Sequence, residues 1–396
     1  MRLSRGEQSV GGNCDNGDDR FAAGVSIPGD VGKFHMLEML RTGASRSAAA
    51  GFDVEILSIA TANPPFTLSQ AEATERAKEF YPHLQALWPL YDNTGIELRY
   101  NCEPIDWYLK PRSWEERTAS FQKHALDLLA DVTMKATAAA GVELGAIDIL
   151  VTNTITGLAI PSLDAMLFNR LRLAPTVERL PIFGLGCGGG VAGLSRATRL
   201  AHASPKAHTL FLTVDLCSLC LRVNDPSPAM FVSAALFGDG AAGILLRNTA
   251  DGARGGPRIL AVGEWSWPDT EHIMGWDIKD DGFGVVLSPE LPSLMRKALA
   301  PALHDFLDRN GFRLADFNGF LFHPGGRKLI ETVEEVLGVE RRYFEHSWEV
   351  LRRYGNMSSA TALFVLDRAL RAGARGPHLL AAFGPGFSAY FVVINL

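Results

Sequence analysis

Five cysteines in 396 residues, at positions 14, 102, 187, 217 and 220, are too few and too unevenly spaced for a disulfide framework or a zinc pattern. Runs of basic residues are missing as well. With 38 Lys and Arg against 44 Asp and Glu, the net charge of −6 points away from a nucleic-acid or lipid-surface partner. The first fifty residues, rich in Gly, Asp and Ser, lack the apolar core of a signal peptide. They predict a mobile leader over 1–50 and a cytoplasmic protein. No uninterrupted apolar helix is found either. The longest apolar stretch, "HLLAAFGPGFSAYFVVINL" at the C-terminus, is broken by Gly-Pro-Gly and ends in β-branched residues. It predicts two buried strands joined by a turn, and no membrane span.

The chain as a whole is 47% hydrophobic, enough for a large core in two domains or two fused halves. From residue 120 onward helix-like and strand-like segments alternate, which predicts an α/β fold with buried sheets. The alternation is duplicated. "QKHALDLLADVTMKATAAAG" and "PSLMRKALAPALHDFLDRNG" are helical patterns ending at Gly141 and Gly311, and Leu144 and Ile147 then match Leu314 and Phe317 at the same interval of 170 residues. Further on, "GCGGGVAGL" lies against "GNMSSATAL" with Gly186 on Gly355, and "LFGDG" against "AFGPG" with Phe237 on Phe383. The chain therefore reads as halves 51–249 and 250–396 about a pseudo-twofold axis. Cys187 and Asn356 then fall at equivalent strand-to-helix turns, and His323 ends a strand whose counterpart ends near Ile155.

A thiol at a helix N-terminus is surrounded by backbone N–H groups and the positive end of the dipole, both of which favour thiolate. The glycines around Cys187 are expected to let a substrate approach the backbone. An imidazolium at His323 would stabilise the thiolate, and the Asn356 amide adds an uncharged donor. Taken singly, a histidine before Pro-Gly is a turn residue and "GNMSS" is ordinary capping sequence; their symmetry-related placement favours function. A Cys/His/Asn set serves cysteine proteases and carbon–carbon condensing enzymes, and the duplication favours the second. Cys217 and Cys220 have redox or metal spacing but sit in an apolar run, which favours packing or pocket lining.

Together these residues resemble a type III polyketide synthase of the chalcone and stilbene synthase family, thiolase-like condensing enzymes. The motifs are "ATANPP" at 60–65, "GLGCGGG" around Cys187, "ALFGDGAA" at 235–242, "HPGG" at 323–326, "GNMSSAT" at 355–361 and "FGPG" at 383–386. The resemblance implies a thiolase-like fold of two duplicated α/β halves in αβαβα layers. It implies acyl loading on Cys187 and malonyl decarboxylation promoted by His323 and Asn356. Acyl-CoA and malonyl-CoA would be the substrates, with no metal or redox cofactor, in a homodimer.

The same resemblance assigns Phe237 as gatekeeper of the pocket, with Ile155, Thr156, Cys217, Cys220, Val285, Gly384 and Pro385 lining it. Ile160 falls on the loop that reaches the partner's cavity. Coenzyme A contacts fall to Gly325, Gly326 and Arg327. The helix that carries phosphate-binding basic residues in plant members is here "QALWPLYDNTGIELRY", with none before Arg99; Arg327 and Lys328 are the candidates by charge. Val285 in place of a second gatekeeper phenylalanine, and the small Cys220, imply a roomy cavity. Ile155 stands where tetrahydroxynaphthalene synthases place a cysteine. That apolar position implies a medium- or long-chain fatty acyl starter and an alkylpyrone or alkylresorcinol product. The rivals are a ketoacyl synthase fed by an acyl carrier protein, a non-catalytic thiolase-like partner subunit, and a redox protein using Cys217 and Cys220.

Overall fold

The structure, a computed structural model, describes residues 52–249 and 255–396; the leader expected over 1–50 lies outside them. The strands are β1 (Val54–Ala62), β2 (Phe66–Ser69), β3 (Leu98–Asn101), β4 (Ile147–Thr154), β5 (Glu178–Phe183), β6 (His208–Leu216), β7 (Asp239–Asn248), β8 (Arg258–Ser266), β9 (Met274–Lys279), β10 (Gly282–Leu287), β11 (Gly319–Phe322), β12 (Pro377–Gly384) and β13 (Ser388–Asn395). The helices that build the layers and the site are α1 (Trp114–Ala140), α2 (Leu163–Leu171), α3 (Gly189–Ala203), α4 (Pro228–Leu236), α5 (Leu291–Arg309), α6 (Arg327–Leu337), α7 (Glu345–Tyr354) and α8 (Ser359–Arg371).

The duplication is visible in strand order. Nine strands hydrogen-bond in the order β5-β4-β6-β7-β1-β8-β13-β12-β11. In the first half β4 and β6 run parallel and β7 and β1 follow antiparallel. In the second, β11 and β12 run parallel and β13 and β8 follow antiparallel. The two sets meet where Val54 and Glu55 pair with Ile259 and Arg258. The C-terminal apolar stretch forms β12 and β13 joined by the Gly-Pro-Gly turn, as expected. No helix of the described residues is long and apolar enough to cross a membrane.

The helix boundaries follow local chemistry. At the start of α1, Ser113 and Glu116 cap each other reciprocally, and Gly141 ends the helix at φ 63°, a left-handed conformation that glycine adopts without cost. The counterpart α5 gives way to Gly311 at φ 74°.

Three cores define five layers. Val151, Phe211, Ile244, Leu380 and Val392 belong to a core shared with α3 and α8, which therefore lie between the two sets of strands. The opposite faces, with Leu150 and Leu212 on one side and Phe320 and Phe391 on the other, pack against α1 and α5 respectively. Strands covered on both faces read as near-continuous apolar runs, which is why β6 and β13 are buried almost throughout. The central helices come from equivalent places in the two halves, and their N-termini build the site.

Candidate active site

Cys187 lies in a single 3-10 turn, Gly186–Gly188, that leads into α3. The surrounding glycines do not leave the clearance expected for a substrate. A Cβ on Gly186 would come 2.5 Å from Pro385 Cδ, and one on Gly188 2.5 Å from the Tyr390 ring. On Gly190 it would strike the carbonyl of Ser359. These glycines admit the protein's own side chains and backbone, bringing α3 against the first turn of α8 and the Gly384–Pro385 turn against Gly186 and Gly188.

Asn356 also departs from expectation. Its turn joins two helices, α7 and α8, rather than a strand and a helix. Its backbone is fixed against the end of α4: Asn356 N donates to Leu236 O (2.8 Å) and Gly238 N donates to Asn356 O (2.9 Å), which sets Phe237 beside it. Oδ1 accepts from Ser358 N (2.8 Å) and Nδ2 donates to Gly325 O (3.1 Å). One N–H of the amide is left over, and the amide acts on the Cys187 thiol.

His323 follows β11, with its backbone N–H donating to Ala381 O (2.8 Å). The residue is 3% exposed, yet neither ring nitrogen has a partner among the described residues. A Cβ on Gly325 would lie 3.6 Å from Nε2, so the ring borders the turn whose carbonyl the Asn356 amide holds. A buried imidazole with both nitrogens unpartnered is a group left ready for something the fold does not supply.

Burial pushes the Cys187 thiol up to about 11; the Ser358 hydroxyl and the Asn356 amide pull it down, and the Asp215 carboxylate pushes it further up. Burial alone holds His323 down to about 3. The expected imidazolium beside a thiolate is therefore not the resting state. No hydrogen bond joins the two side chains, and burial favours the neutral form of each, though Cys187 itself is half-buried.

Asp215, which sequence reading missed, ties the site together. Fully buried at the end of β6, it accepts from Ile155 N (2.8 Å), Thr156 Oγ1 (3.3 Å), Ser359 N (3.0 Å) and the Ser359 hydroxyl. It thus joins the loop after β4 to the start of α8, across the two halves. Ser358, beside it, holds φ 49° with ψ −127°, a conformation that costs about 1–3 kcal/mol in a residue other than glycine. A serine within "GNMSS" gave no sign of this.

Trp276 is the second residue missed. It lies on the β9–β10 hairpin, opposite Val285 and hence on the same face. Its indole N–H donates to Ile155 O (3.0 Å), and its ring sits 6.2 Å from that of Phe237. The space expected beside a small Val285 is bordered by an indole from the neighbouring strand. Ile155 and Thr156 are buried there, and the Cys220 thiol points to Thr156 O at 3.9 Å. Burial raises both Cys217 and Cys220, which keeps them as thiols and weighs against redox chemistry. Among the described residues no group of three His, Cys, Asp or Glu is arranged to hold a metal ion.

The coenzyme A candidates are less favourably placed. The Gly325 carbonyl is taken by Asn356, and Arg327, exposed at the start of α6, pairs with Glu331 at 2.8 Å. Arg99 is buried, donating to Ala234 O, Gln70 Oε1 and Phe237 O; it braces the gatekeeper's backbone rather than facing solvent. Ile160, by contrast, is 99% exposed, and Leu180 and Phe183 are exposed on β5, the edge strand of the sheet among the described residues.

Profiles of known families match most of this chain. That of the chalcone and stilbene synthases, N-terminal domain, matches residues 105–250, and that of their C-terminal domain residues 261–395. A putative chalcone synthase of Bacillus subtilis is 32% identical over 86% of this chain and 98% of its own. A 1,3,6,8-tetrahydroxynaphthalene synthase of Streptomyces peucetius is 36% identical over 86% and 92%. Among solved structures, the 1,3,6,8-tetrahydroxynaphthalene synthase of Streptomyces coelicolor, a bacterial type III polyketide synthase, superposes with a TM-score of 0.80 at 29% identity, covering 88% of this chain and 99% of that one.

Proposed function

Since the chain belongs to the chalcone and stilbene synthase family and is a type III polyketide synthase, an acyltransferase of thiolase-like fold, we propose that Cys187, His323 and Asn356 are its catalytic residues. The observation that carries this assignment is the buried His323 ring with both nitrogens unpartnered among the described residues, bordering the Gly325 turn held by an Asn356 amide that also acts on the Cys187 thiol. Cys187 sulfur adds to the carbonyl of an acyl-CoA, and the thiol's proton leaves with the coenzyme A thiolate. Malonyl-CoA then loses CO2, and its enolate oxygen receives N–H groups from neutral His323 and from Asn356. The enolate carbon attacks the Cys187 thioester, which lengthens the chain by two carbons and releases the sulfur as a thiolate; a proton from solvent restores the thiol. An uncharged imidazole is suited to this role, because it donates without neutralising the enolate by full proton transfer.

The proposed starter is a medium- or long-chain fatty acyl group, and the proposed product an alkylpyrone or alkylresorcinol. The buried Ile155, held by Asp215 and by the Trp276 indole, gives the wall beside Phe237 an apolar lining that suits an alkyl chain. Incubation with C6–C16 acyl-CoAs and malonyl-CoA should give triketide and tetraketide products identified by mass. Turnover of malonyl-CoA alone, with every acyl-CoA ignored, would overturn the starter assignment. Trp276→Ala removes the indole from the wall, and the preferred acyl length should then rise by two or more carbons in competition assays; an unchanged preference removes Trp276 from the pocket. The exposed Ile160, and Leu180 and Phe183 on the edge strand β5, support a homodimer, with sedimentation at micromolar concentration as the check.

A further inference from the structure

β11 is an edge strand of the nine-stranded sheet, paired with β12 on one side only among the described residues. His323 follows its last residue, Phe322, and the peptide between the two carries one donor and one acceptor. The donor, His323 N–H, faces β12 and reaches Ala381 O at 2.8 Å. The acceptor, Phe322 O, lies opposite it across a trans peptide and so faces the edge, where no strand serves it. Phe322 is fully buried, and a carbonyl left unpaired there would be costly.

Ser347 meets that carbonyl. Fully buried in the first turn of α7, it donates its hydroxyl to Phe322 O at 2.7 Å. The helix that supplies it is fixed by contacts away from the site. Trp348 Nε1 donates to a Glu334 carboxylate oxygen of α6 at 2.6 Å, Glu97 N donates to Arg352 O at 2.8 Å, and Arg352 pairs with Glu97 and Glu349. Phe344, just before α7, covers the same edge, with its ring 5.4 Å from that of Phe320 and 5.9 Å from that of Phe322. The far end of α7 leads to Asn356, whose Nδ2 donates to Gly325 O. The segment bearing His323 is therefore gripped on both sides, by Ser347 one residue before the ring and by Asn356 two residues after it. The ring has no hydrogen bond of its own among the described residues, so its direction comes from this backbone and from packing.

We propose that Ser347 is a positioning residue for His323. By fixing the Phe322–His323 peptide plane, it holds the imidazole at the angle from which an N–H meets the enolate oxygen together with the Asn356 amide. The proposal rests on the assignment of His323 and Asn356 as enolate donors and adds a residue that acts through the backbone alone. Without the hydroxyl the plane is free to tilt, and a misplacement of about 1 Å costs about 10²-fold in rate. Acyl loading, in which Cys187 sulfur displaces coenzyme A, does not draw on His323, so the two half-reactions should separate.

The test measures both half-reactions on the full chain: decarboxylation of malonyl-CoA in the Cys187→Ala background, and loading of Cys187 from decanoyl-CoA read by intact mass. Ser347→Ala should lower kcat for decarboxylation by about tenfold or more, with KM for malonyl-CoA and the loading rate each within about twofold of their values with Ser347 in place. Ser347→Thr keeps the hydroxyl and should restore most of the lost rate. Ser347→Cys offers a weaker donor of similar size and should fall between. A merely structural residue would lower both half-reactions together. Undiminished decarboxylation in Ser347→Ala, or proportional loss of both half-reactions, overturns the positioning role; if the alanine variant does not fold, Ser347→Cys decides by the same two criteria. Undiminished decarboxylation in His323→Ala is the separate result that overturns the assignment of His323 itself.

Discussion

Cys187→Ala should abolish chain extension, by about 10³-fold or more, while malonyl-CoA is still decarboxylated. The variant keeps both groups proposed to hold the enolate, since the His323 backbone is held against β12 and Asn356 by Leu236, Gly238 and Gly325. Its pH dependence follows from burial. A histidine whose pKa is lowered on folding stays neutral above the folded value, here about 3, so His323 does not titrate in the working range. Acetyl-CoA formation by Cys187→Ala should therefore be flat from pH 5 to pH 8. An acid limb centred near 6.5 would mean a solvated imidazole, and extension at the wild-type rate would remove Cys187 from the reaction.

Asp215→Ala should be the most damaging substitution outside those three residues. The carboxylate is fully buried and accepts from two backbone N–H groups, Ile155 and Ser359, as well as from the hydroxyls of Thr154, Thr156 and Ser359. Each buried donor left without a partner costs about 1–3 kcal/mol. Burial also raises the Asp215 pKa, so removing the charge returns part of that cost. The net expectation is a loss of about 3–5 kcal/mol in urea unfolding. Asp215→Asn keeps one acceptor oxygen and should lose about half as much. Because Asp215 opposes ionisation of Cys187 while its network holds Ser358 and Ser359, inactivation of the Asn variant by iodoacetamide should shift in pH. A loss under 1 kcal/mol in the alanine variant would show that water takes over the orphaned donors.

The fold was legible because its evidence is periodic. The helical patterns ending at Gly141 and Gly311, and the near-continuous apolar runs of β6 and β13, report elements covered on both faces, whatever their neighbours. Cys187, His323 and Asn356 were legible for another reason: each stands in a short turn whose glycines constrain it, so position and chemistry are encoded within a few residues. The glycines themselves misled. Their spacing shows that something approaches closely, and only the packed structure shows that it is Ser359, Pro385 and Tyr390.

Asp215, Ser358 and Trp276 left no comparable trace. Asp215 ends an apolar strand and looks like any strand-terminal carboxylate until α8 of the other half places Ser359 against it, 144 residues away. Trp276 reaches the pocket because a hairpin outside the nine-stranded sheet carries it to Ile155, 121 residues away. The protonation states also belong to the tertiary structure. The same thiol and imidazole in water would titrate near their ordinary values, and it is removal of solvent that drives them apart to about 11 and about 3. The sequence by itself determined the duplicated α/β architecture and pointed to the three candidate side chains, because local pattern suffices for both. Tertiary structure decided which groups face them, how dry they are and how much space is left, since those depend on residues the chain brings together only by folding.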